Sequence, residues 1–334
     1  HIGGWRMSKP LESVLRYAAR RCVVALPTLW LIVTVMFLLV QMAPGDPATF
    51  IAGEGYISDE YLEQVRSEYG LDKPVLVQYG VYLGKVIRGN LGYSFRYRAP
   101  VLGLIAERVP ATLLLMLIAI GLFAIVGVLL GAAAARRQYS SFDLGLVVLS
   151  VCGWSIPIFW FGQMLLILFA LTLKWFPTQG MFDLRSPSYG IGKLVDALYH
   201  AVLPVTALGM RFMALNARMM RTSMIEALGQ DYITTARAKG LTEAEVMRHH
   251  AIPNALLPVV TLVGMNIGTM LAGSVLTEVV FGWPGMGRLL YDGIYSRDYP
   301  LVIGIILVMA IAVVICNFIT DIVYALIDPR IRYD

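Results

Sequence analysis

The chain has 334 residues, of which 58% are hydrophobic and only 15% carry a charged side chain. Soluble domains carry charge on roughly 25% of their residues, so this composition excludes an ordinary soluble domain and indicates a membrane protein. The net charge is +5, and the three cysteines, Cys22, Cys152 and Cys316, all lie in apolar runs, which argues against a disulfide framework or a cysteine metal site.

The N-terminal part of the chain predicts a basic arm followed by a membrane span. Residues 1–6 precede Met7, which has the position of a natural start, so no helix is predicted in them. Residues 1–21 form the arm, which we expect to be cytoplasmic. Residues 22–42 contain no charge, and this length is enough to cross a bilayer as the first transmembrane helix.

Residues 43–108 predict a long external loop with helices of its own. Ser58 is a suitable N-cap for a helix that begins with acidic residues, and Gly70 is suited to end it. Residues 78–86 predict a second short helix. We expect this loop to cover the external face of the protein.

Three further spans are predicted at residues 109–135, 144–173 and 199–217. Pro157 lies in the middle of the run 144–173, and we interpret this run as one long helix kinked at the proline. Two short spans would instead require a hairpin inside lipid, where unpaired backbone groups cost several kcal/mol each. The span 199–217 is interrupted by Arg211.

A polar segment at residues 218–253 follows the fourth span, and we call its part from residue 231 to residue 253 the elbow. The pattern predicts a short helix near the start of the elbow, ended by Gly240 in a left-handed conformation. Thr242 then caps a second helix, with Glu245 at the reciprocal position of a capping box. Two helices joined by a glycine predict a rigid lever at the membrane surface.

The last two spans are predicted at residues 254–279 and 301–327, joined by an external hairpin at residues 280–300. Six spans place both termini on the same side of the membrane. Fourteen lysines and arginines lie on that side and five lie in the short opposite loops. The positive-inside rule therefore predicts that both termini are cytoplasmic.

The elbow resembles the cytoplasmic EAA loop of the ABC importer permeases. That loop reads Glu-Ala-Ala, three residues, glycine, nine residues, then Ile-x-Leu-Pro. Here the same frame reads Thr234-Thr235-Ala236, Gly240 and His250-Ala251-Ile252-Pro253, with departures at Thr234 and His250. The form from Asp231 to Leu241 is similar to the dipeptide, oligopeptide and nickel branch, although Pro253 stands where that branch usually has an arginine before Asn254.

Other motifs of this branch occur in order along nearly the whole chain. They are Pro44-Gly45-Asp46-Pro47, Gly70-Leu71-Asp72-Lys73-Pro74, Gly89-Asn90-Leu91-Gly92, Pro110-Ala111-Thr112-Leu113, Leu276-Thr277-Glu278, Phe281-Gly282-Trp283-Pro284-Gly285-Met286-Gly287-Arg288, Arg297-Asp298-Tyr299-Pro300 and Asp328-Pro329-Arg330-Ile331-Arg332. A single tetrapeptide is weak evidence. So many of them, in order and on the expected side of the membrane, make a specific resemblance.

The resemblance implies an all-α membrane protein with six transmembrane helices, the type I ABC importer permease (MetI-like) fold and cytoplasmic coupling helices. Residues 109–327 would form the core permease domain. The implied function is import of peptides or peptide-like solutes across the bacterial inner membrane by alternating access. Nickel, glutathione and other small solutes remain open as alternatives.

The implied partners are a second homologous permease, two ATPase subunits, an extracytoplasmic substrate-binding protein and membrane lipid, with no nucleic acid. The chain lacks a Gly-x-x-x-x-Gly-Lys-[Ser/Thr] loop, so we expect no catalytic residue in it and expect the ATPases to bind ATP and Mg. The residues implied to contact an ATPase are Asp231, Tyr232, Thr235, Ala236, Arg237, Ala238, Lys239, Gly240 and Leu241. An ion-coupled secondary transporter would need paired intramembrane acids or inverted repeats, and neither is evident.

Four residues, Arg211, Asn216, Met265 and Asn266, are candidates for lining the substrate pathway. A guanidinium inside a span is costly unless it faces a partner or water. Arg211 could bind the carboxylate of a peptide-like solute with two hydrogen bonds, pair with the second permease, or extend toward the cytoplasm. Methionines at such positions are more often packing residues, because they fill irregular gaps. No metal site is expected, because the adjacent His249 and His250 would point about 100° apart on a helix.

Overall fold

The computed structural model describes residues 9–42, 48, 58–69, 71–183, 185 and 189–327. The predictions for residues 1–6, 44–47, 70 and 328–332 fall outside the described residues. The chain divides into two compact units. As far as they are described, the first consists of His1–Val14, Leu113–Trp283 and Cys316–Asp334, and the second of Leu15–Thr112 and Pro284–Ile315.

Helices α1, α2 and α3 span Lys9–Met42, Asp59–Tyr69 and Val75–Ile87. Ser58 caps α2 as predicted: its Oγ accepts a hydrogen bond from the backbone N–H of Tyr61 at 3.3 Å. Within the second unit, α1 packs against α3 through side chains. The Gln41 amide donates to Gln78 at 2.5 Å, and the Phe37 ring lies 5.3 Å from that of Tyr79.

A short hairpin, β1 (Tyr93–Ser94) paired antiparallel with β2 (Ala99–Pro100), precedes the long helix α4, Val101–Arg136. The carboxylate of Asp298 is buried and accepts hydrogen bonds from Ser94 Oγ at 2.5 Å and the Arg96 N–H at 3.2 Å. Its other oxygen accepts the Leu301 N–H at 3.3 Å, at the start of the last helix. One carboxylate therefore joins two segments that are distant in sequence.

Helix α5 spans Ser141–Ser155 and α6 spans Ile158–Leu165, continuing as a π-helix over Leu166–Thr172. The two helices meet at 105°, and the break lies at Pro157, where the kink was predicted. That residues 144–173 make one span stays a prediction. Ile156 and Pro157 both adopt extended backbone angles, with ψ of 127° and 132°. A proline disfavours the helical conformation in the residue before it, and two extended residues in succession break the helix instead of bending it.

Helix α7 spans Ile191–Leu228, α8 Asp231–Ala238, and α9 Glu243–Val246. A π-helical segment, Met247–Ala251, leads into α10, Ile252–Val280. Helix α11 spans Met286–Tyr295 and α12 spans Tyr299–Ile327.

The described residues contain four helical stretches long and apolar enough to cross a membrane, and counting the bent pair as one span gives five. The four are Val101–Arg136, Ile191–Leu228, Glu243–Val280 and Tyr299–Thr320. In α1 the described apolar stretch, Val23–Leu39, is shorter. The multi-span architecture is confirmed, and the count of six stays a prediction.

Helices α4 and α7 approach each other through glycine. A Cβ at Gly127 would lie 2.8 Å from the backbone carbonyl oxygen of Met213. A Cβ at Gly131 would overlap the backbone carbonyl oxygen of Ala217. Small residues allow helix backbones to come this close inside a membrane, where packing replaces the hydrophobic driving force.

Candidate functional site

The first arm of the elbow ends in the geometry that the sequence predicts. Helix α8 is followed by Gly240, whose φ is +85°. The Gly240 N–H donates to the Arg237 carbonyl at 2.9 Å, and the Leu241 N–H donates to that of Ala236 at 3.4 Å. This pair of hydrogen bonds is a Schellman motif, which closes a helix end and favours glycine because it requires a left-handed residue.

The second arm begins with a complete capping box. The Thr242 N–H donates to the Glu245 carboxylate at 2.8 Å, and the Glu245 N–H donates to Thr242 Oγ1 at 3.4 Å. The arm continues through the π-helical segment into α10 without a break. One end of the elbow therefore belongs to the same helical stretch as the long helix α10.

An ion pair bridges the two arms. The Arg237 guanidinium donates to the Glu243 carboxylate at 2.7 Å from Nε and 3.2 Å from Nη2. The hydrogen bond to Glu243 raises the pKa of Arg237 above its usual value. Both side chains are exposed, so solvent screens the pair, and it orients the arms without contributing much stability.

Helix α8 is held to the rest of the first unit by two apolar side chains. Ile233 is fully buried and Ala236 is buried, whereas their neighbours in the helix are exposed. They belong to a buried cluster whose other members come from α4, α7, α9, the π-helical segment and α10: Ala135, Met220, Met224, Ala227, Val246, Met247, Ala251, Ala255 and Val259. Helix α8 therefore has one anchored face and one free face.

The free face contains most of the residues predicted to contact a partner. Seven of the nine are exposed: Asp231, Tyr232, Thr235, Arg237, Ala238, Lys239 and Gly240. The other two are not on this face: Ala236 is buried and Leu241 packs partly against the same cluster, and contact of all nine with a partner stays a prediction. Their apolar side chains stabilise the elbow instead of facing outward.

The structure brings two of the four pathway candidates together. Arg211 on α7 and Asn266 on α10 line one cavity of about 460 Å³ in the first unit, at the break between α5 and α6. The Arg211 guanidinium lies over the Trp154 ring, 3.9 Å from its centre.

Asn216 and Met265 are not among the residues that line this cavity. Asn216 is 1% exposed, and its side-chain nitrogen finds no hydrogen-bond acceptor among the described residues. Met265 is 67% exposed.

Sequence reasoning missed an ion pair near the elbow. Asp143, at the start of α5, is 3% exposed and accepts two hydrogen bonds from the Arg221 guanidinium of α7, one from Nη2 at 2.7 Å. It also accepts the Tyr139 N–H at 3.0 Å. The partners are 78 positions apart in the sequence, so no local pattern indicates them. The pair fastens α5 to the end of α7 from which the elbow departs.

Removing this carboxylate is expected to destabilise the protein. In Asp143→Ala the Arg221 guanidinium loses its acceptor, and an unpaired polar group of this kind costs about 1–3 kcal/mol. The measurement is thermal unfolding of the purified protein in detergent. The matched control is Glu243→Ala, which removes the carboxylate of the exposed Arg237 pair and is expected to leave the midpoint unchanged. Equal midpoints for the two variants would contradict a stabilising role for Asp143.

Long apolar helices, an anchored polar elbow and a cavity within the helices define a membrane transport component. The family of binding-protein-dependent transport system inner membrane components matches residues 127–333, and its N-terminal companion matches residues 14–116. The chain belongs to this family of inner-membrane permeases.

Curated relatives match over almost their whole length. The di/tripeptide transport system permease protein DppB of Pseudomonas aeruginosa is 41% identical, over 96% of this chain and 99% of that protein. The dipeptide permease DppB of Escherichia coli K12 is also 41% identical, with the same coverage. The oligopeptide permease AppB of Bacillus subtilis is 40% identical, over 95% of this chain and 99% of the AppB chain.

A solved structure of the MetNI methionine ABC transporter, in inward-facing conformations, resembles this chain with a TM-score of 0.55 and 16% identity. The match covers 68% of this chain and 97% of that one. At this identity it confirms the predicted permease fold and nothing more specific.

Proposed function

We propose that this chain is the membrane-spanning permease subunit of an ATP-driven, binding-protein-dependent importer of peptides or peptide-like solutes. The names of the curated relatives support the peptide class. Import of nickel, glutathione or another small solute by the same fold is the alternative. A second homologous permease would complete the translocation pathway, and an extracytoplasmic binding protein would deliver the solute.

The anchored elbow is the observation that supports this proposal most. Helix α8 is too short to be stable alone, since isolated helices below roughly 12 residues are marginal in water. It is held by Ile233 and Ala236 and shows a polar, exposed face. Such a face fits a groove on a partner, and the continuous connection into α10 lets a movement of that partner reach the membrane helices.

Two ATPase subunits are the partners we assign to this face. They would bind ATP and Mg and perform hydrolysis, and this chain would convert their closure into alternating access of the pathway. The elbow and both termini would then lie in the cytoplasm, in agreement with the distribution of basic residues.

Protection from a thiol reagent tests the assignment. In a chain with Cys22, Cys152 and Cys316 replaced by serine, we introduce Thr235→Cys on the free face of α8. The control is Gln138→Cys, which is also exposed but lies in the turn between α4 and α5. Maleimide is expected to label both cysteines in the isolated permease and to label only residue 138 once the ATPases are bound. Full labelling of residue 235 in the assembled transporter would contradict docking at the elbow.

A further inference from the structure

We propose that Arg211 recognises the carboxylate of the transported solute, and that the cavity it lines selects solutes bearing a free carboxylate, such as the C-terminus of a peptide. The inference rests on the proposed function. It assigns a chemical specificity to the permease itself, in addition to any that a binding protein has.

The cavity has the size and depth of a solute site. Its volume of about 460 Å³ lies in the range of roughly 300–1,000 Å³ typical of small-molecule sites. Arg211 lies near the middle of α7 and Asn266 near the middle of α10. Polar side chains at such depth are costly and usually mark a pathway or a binding site.

The guanidinium is held in position but is not neutralised. It lies over the Trp154 ring at 3.9 Å, and no carboxylate of the described residues forms an ion pair with it. Stacking on an aromatic face covers the flat side of the guanidinium and leaves its N–H donors directed outward at the edge. A planar group fixed in this way can bind a carboxylate through two parallel hydrogen bonds.

The break between α5 and α6 creates this arrangement. Trp154 precedes the two extended residues Ile156 and Pro157, and both Trp154 and Pro157 line the cavity. The helices on either side of the break meet at 105°, and Ile158 and Phe159 of α6 line the cavity as well. The bend thus supplies both the stacking ring and the volume in front of Arg211.

The remaining wall is mainly apolar, with two polar groups on α10. The Asn266 amide nitrogen donates one N–H to the Leu262 backbone carbonyl at 2.7 Å, and its side-chain oxygen accepts a long hydrogen bond of 3.5 Å from the Thr269 hydroxyl. The second N–H of the amide is a further donor at this wall. The Thr269 hydroxyl donates to the Asn266 carbonyl at 2.8 Å. Leu208, Phe212 and Met270 contribute apolar surface. A single charged group on a mainly apolar wall discriminates by solute charge much more than by side-chain identity.

Uptake of a matched pair of solutes tests the proposal. The complete transporter is reconstituted in liposomes and supplied with binding protein preloaded either with radiolabelled alanyl-alanine or with its C-terminal amide. Arg211→Gln is expected to lower uptake of the acid about tenfold or more, the loss typical of a charged hydrogen-bonded contact. Uptake of the amide is expected to change less than twofold, because the amide offers no carboxylate to the missing guanidinium.

Three further variants separate recognition from structure. Arg218→Gln removes the same charge from an exposed position on the same helix and is expected to change neither uptake. Arg211→Lys keeps the positive charge but lacks the paired N–H donors of the planar guanidinium, so it is expected to recover only part of the uptake of the acid. Trp154→Leu keeps the guanidinium without its stacking ring and is expected to lower acid uptake more than amide uptake.

The outcomes distinguish the competing roles of Arg211. Equal losses for acid and amide in Arg211→Gln would overturn the inference and indicate a structural pairing, for example with an acid on the second permease. Unchanged uptake of both would also overturn it. If the unaltered transporter hydrolyses ATP with loaded binding protein but imports neither dipeptide, the proposed peptide function fails, and this inference fails with it.

Discussion

Gly240→Pro is expected to abolish solute uptake while the transporter still assembles. Proline fixes φ near −65°, whereas Gly240 has a φ of +85°. Proline also lacks the N–H that donates to the Arg237 carbonyl at 2.9 Å. The elbow cannot keep its turn with this residue, and the conflict is worth on the order of 3 kcal/mol. Uptake and solute-stimulated ATP hydrolysis in liposomes are the measurements, and assembly is checked by co-purification with the ATPases.

Gly240→Asn is the matched control for this variant. Asparagine adopts the left-handed conformation more readily than other residues with a Cβ, and it keeps the backbone N–H. Space is available, since a Cβ at residue 240 would meet nothing within 4 Å. Most of the uptake should therefore remain in Gly240→Asn. A proline variant that transports as well as the asparagine variant would show that the turn is not needed for coupling.

Ile233→Ala is expected to have the second large effect, this time on the stability of the elbow. Ile233 is fully buried in the cluster that anchors α8. Truncating a buried isoleucine to alanine typically costs about 2–5 kcal/mol. Helix α8 has only eight residues, so the anchored face provides most of its stability. Limited proteolysis of the permease should show faster cleavage in residues 231–241 of this variant.

Ile191→Ala makes the same truncation at an exposed position. Ile191 is the first residue of α7 and is 82% exposed, so little buried contact is lost. Its cleavage rate within residues 231–241 should match that of the unaltered protein. If Ile233→Ala and Ile191→Ala were cleaved at the same rate, the buried side chain would not be the anchor of the elbow.

The features that were predictable from the sequence are those whose partners lie within a few positions. The Ser58 cap, the left-handed Gly240 and the capping box of Thr242 and Glu245 each depend on contacts across three to five positions. Their geometry follows from backbone chemistry alone. The sequence therefore predicted the elbow closely, down to the residue at which it turns.

Features that depend on distant partners were not predictable in the same way. The Asp143–Arg221 pair joins helices that are far apart in the chain. In the sequence, each residue resembles an ordinary charged residue near a helix end, and nothing indicates that the two are partners. Ala236 matches the pattern of the EAA loop, but the structure buries its side chain in the cluster that anchors α8.

The break between α5 and α6 is a different case. Pro157 disfavours the helical conformation in the residue before it, so the sequence predicted a kink at this position but not the 105° angle, which depends on packing against other helices.

Helix α7 has one consequence for how the protein sits in its lipid. Its 38 residues extend about 57 Å, whereas the hydrocarbon layer of a bilayer is about 30 Å thick. The excess at its C-terminal end includes Met220 and Met224, against which the elbow packs. A helix longer than the bilayer is accommodated by tilting or by projecting beyond it. The residues that hold the elbow belong to the projecting part, so their contacts are with protein and do not depend on the acyl chains.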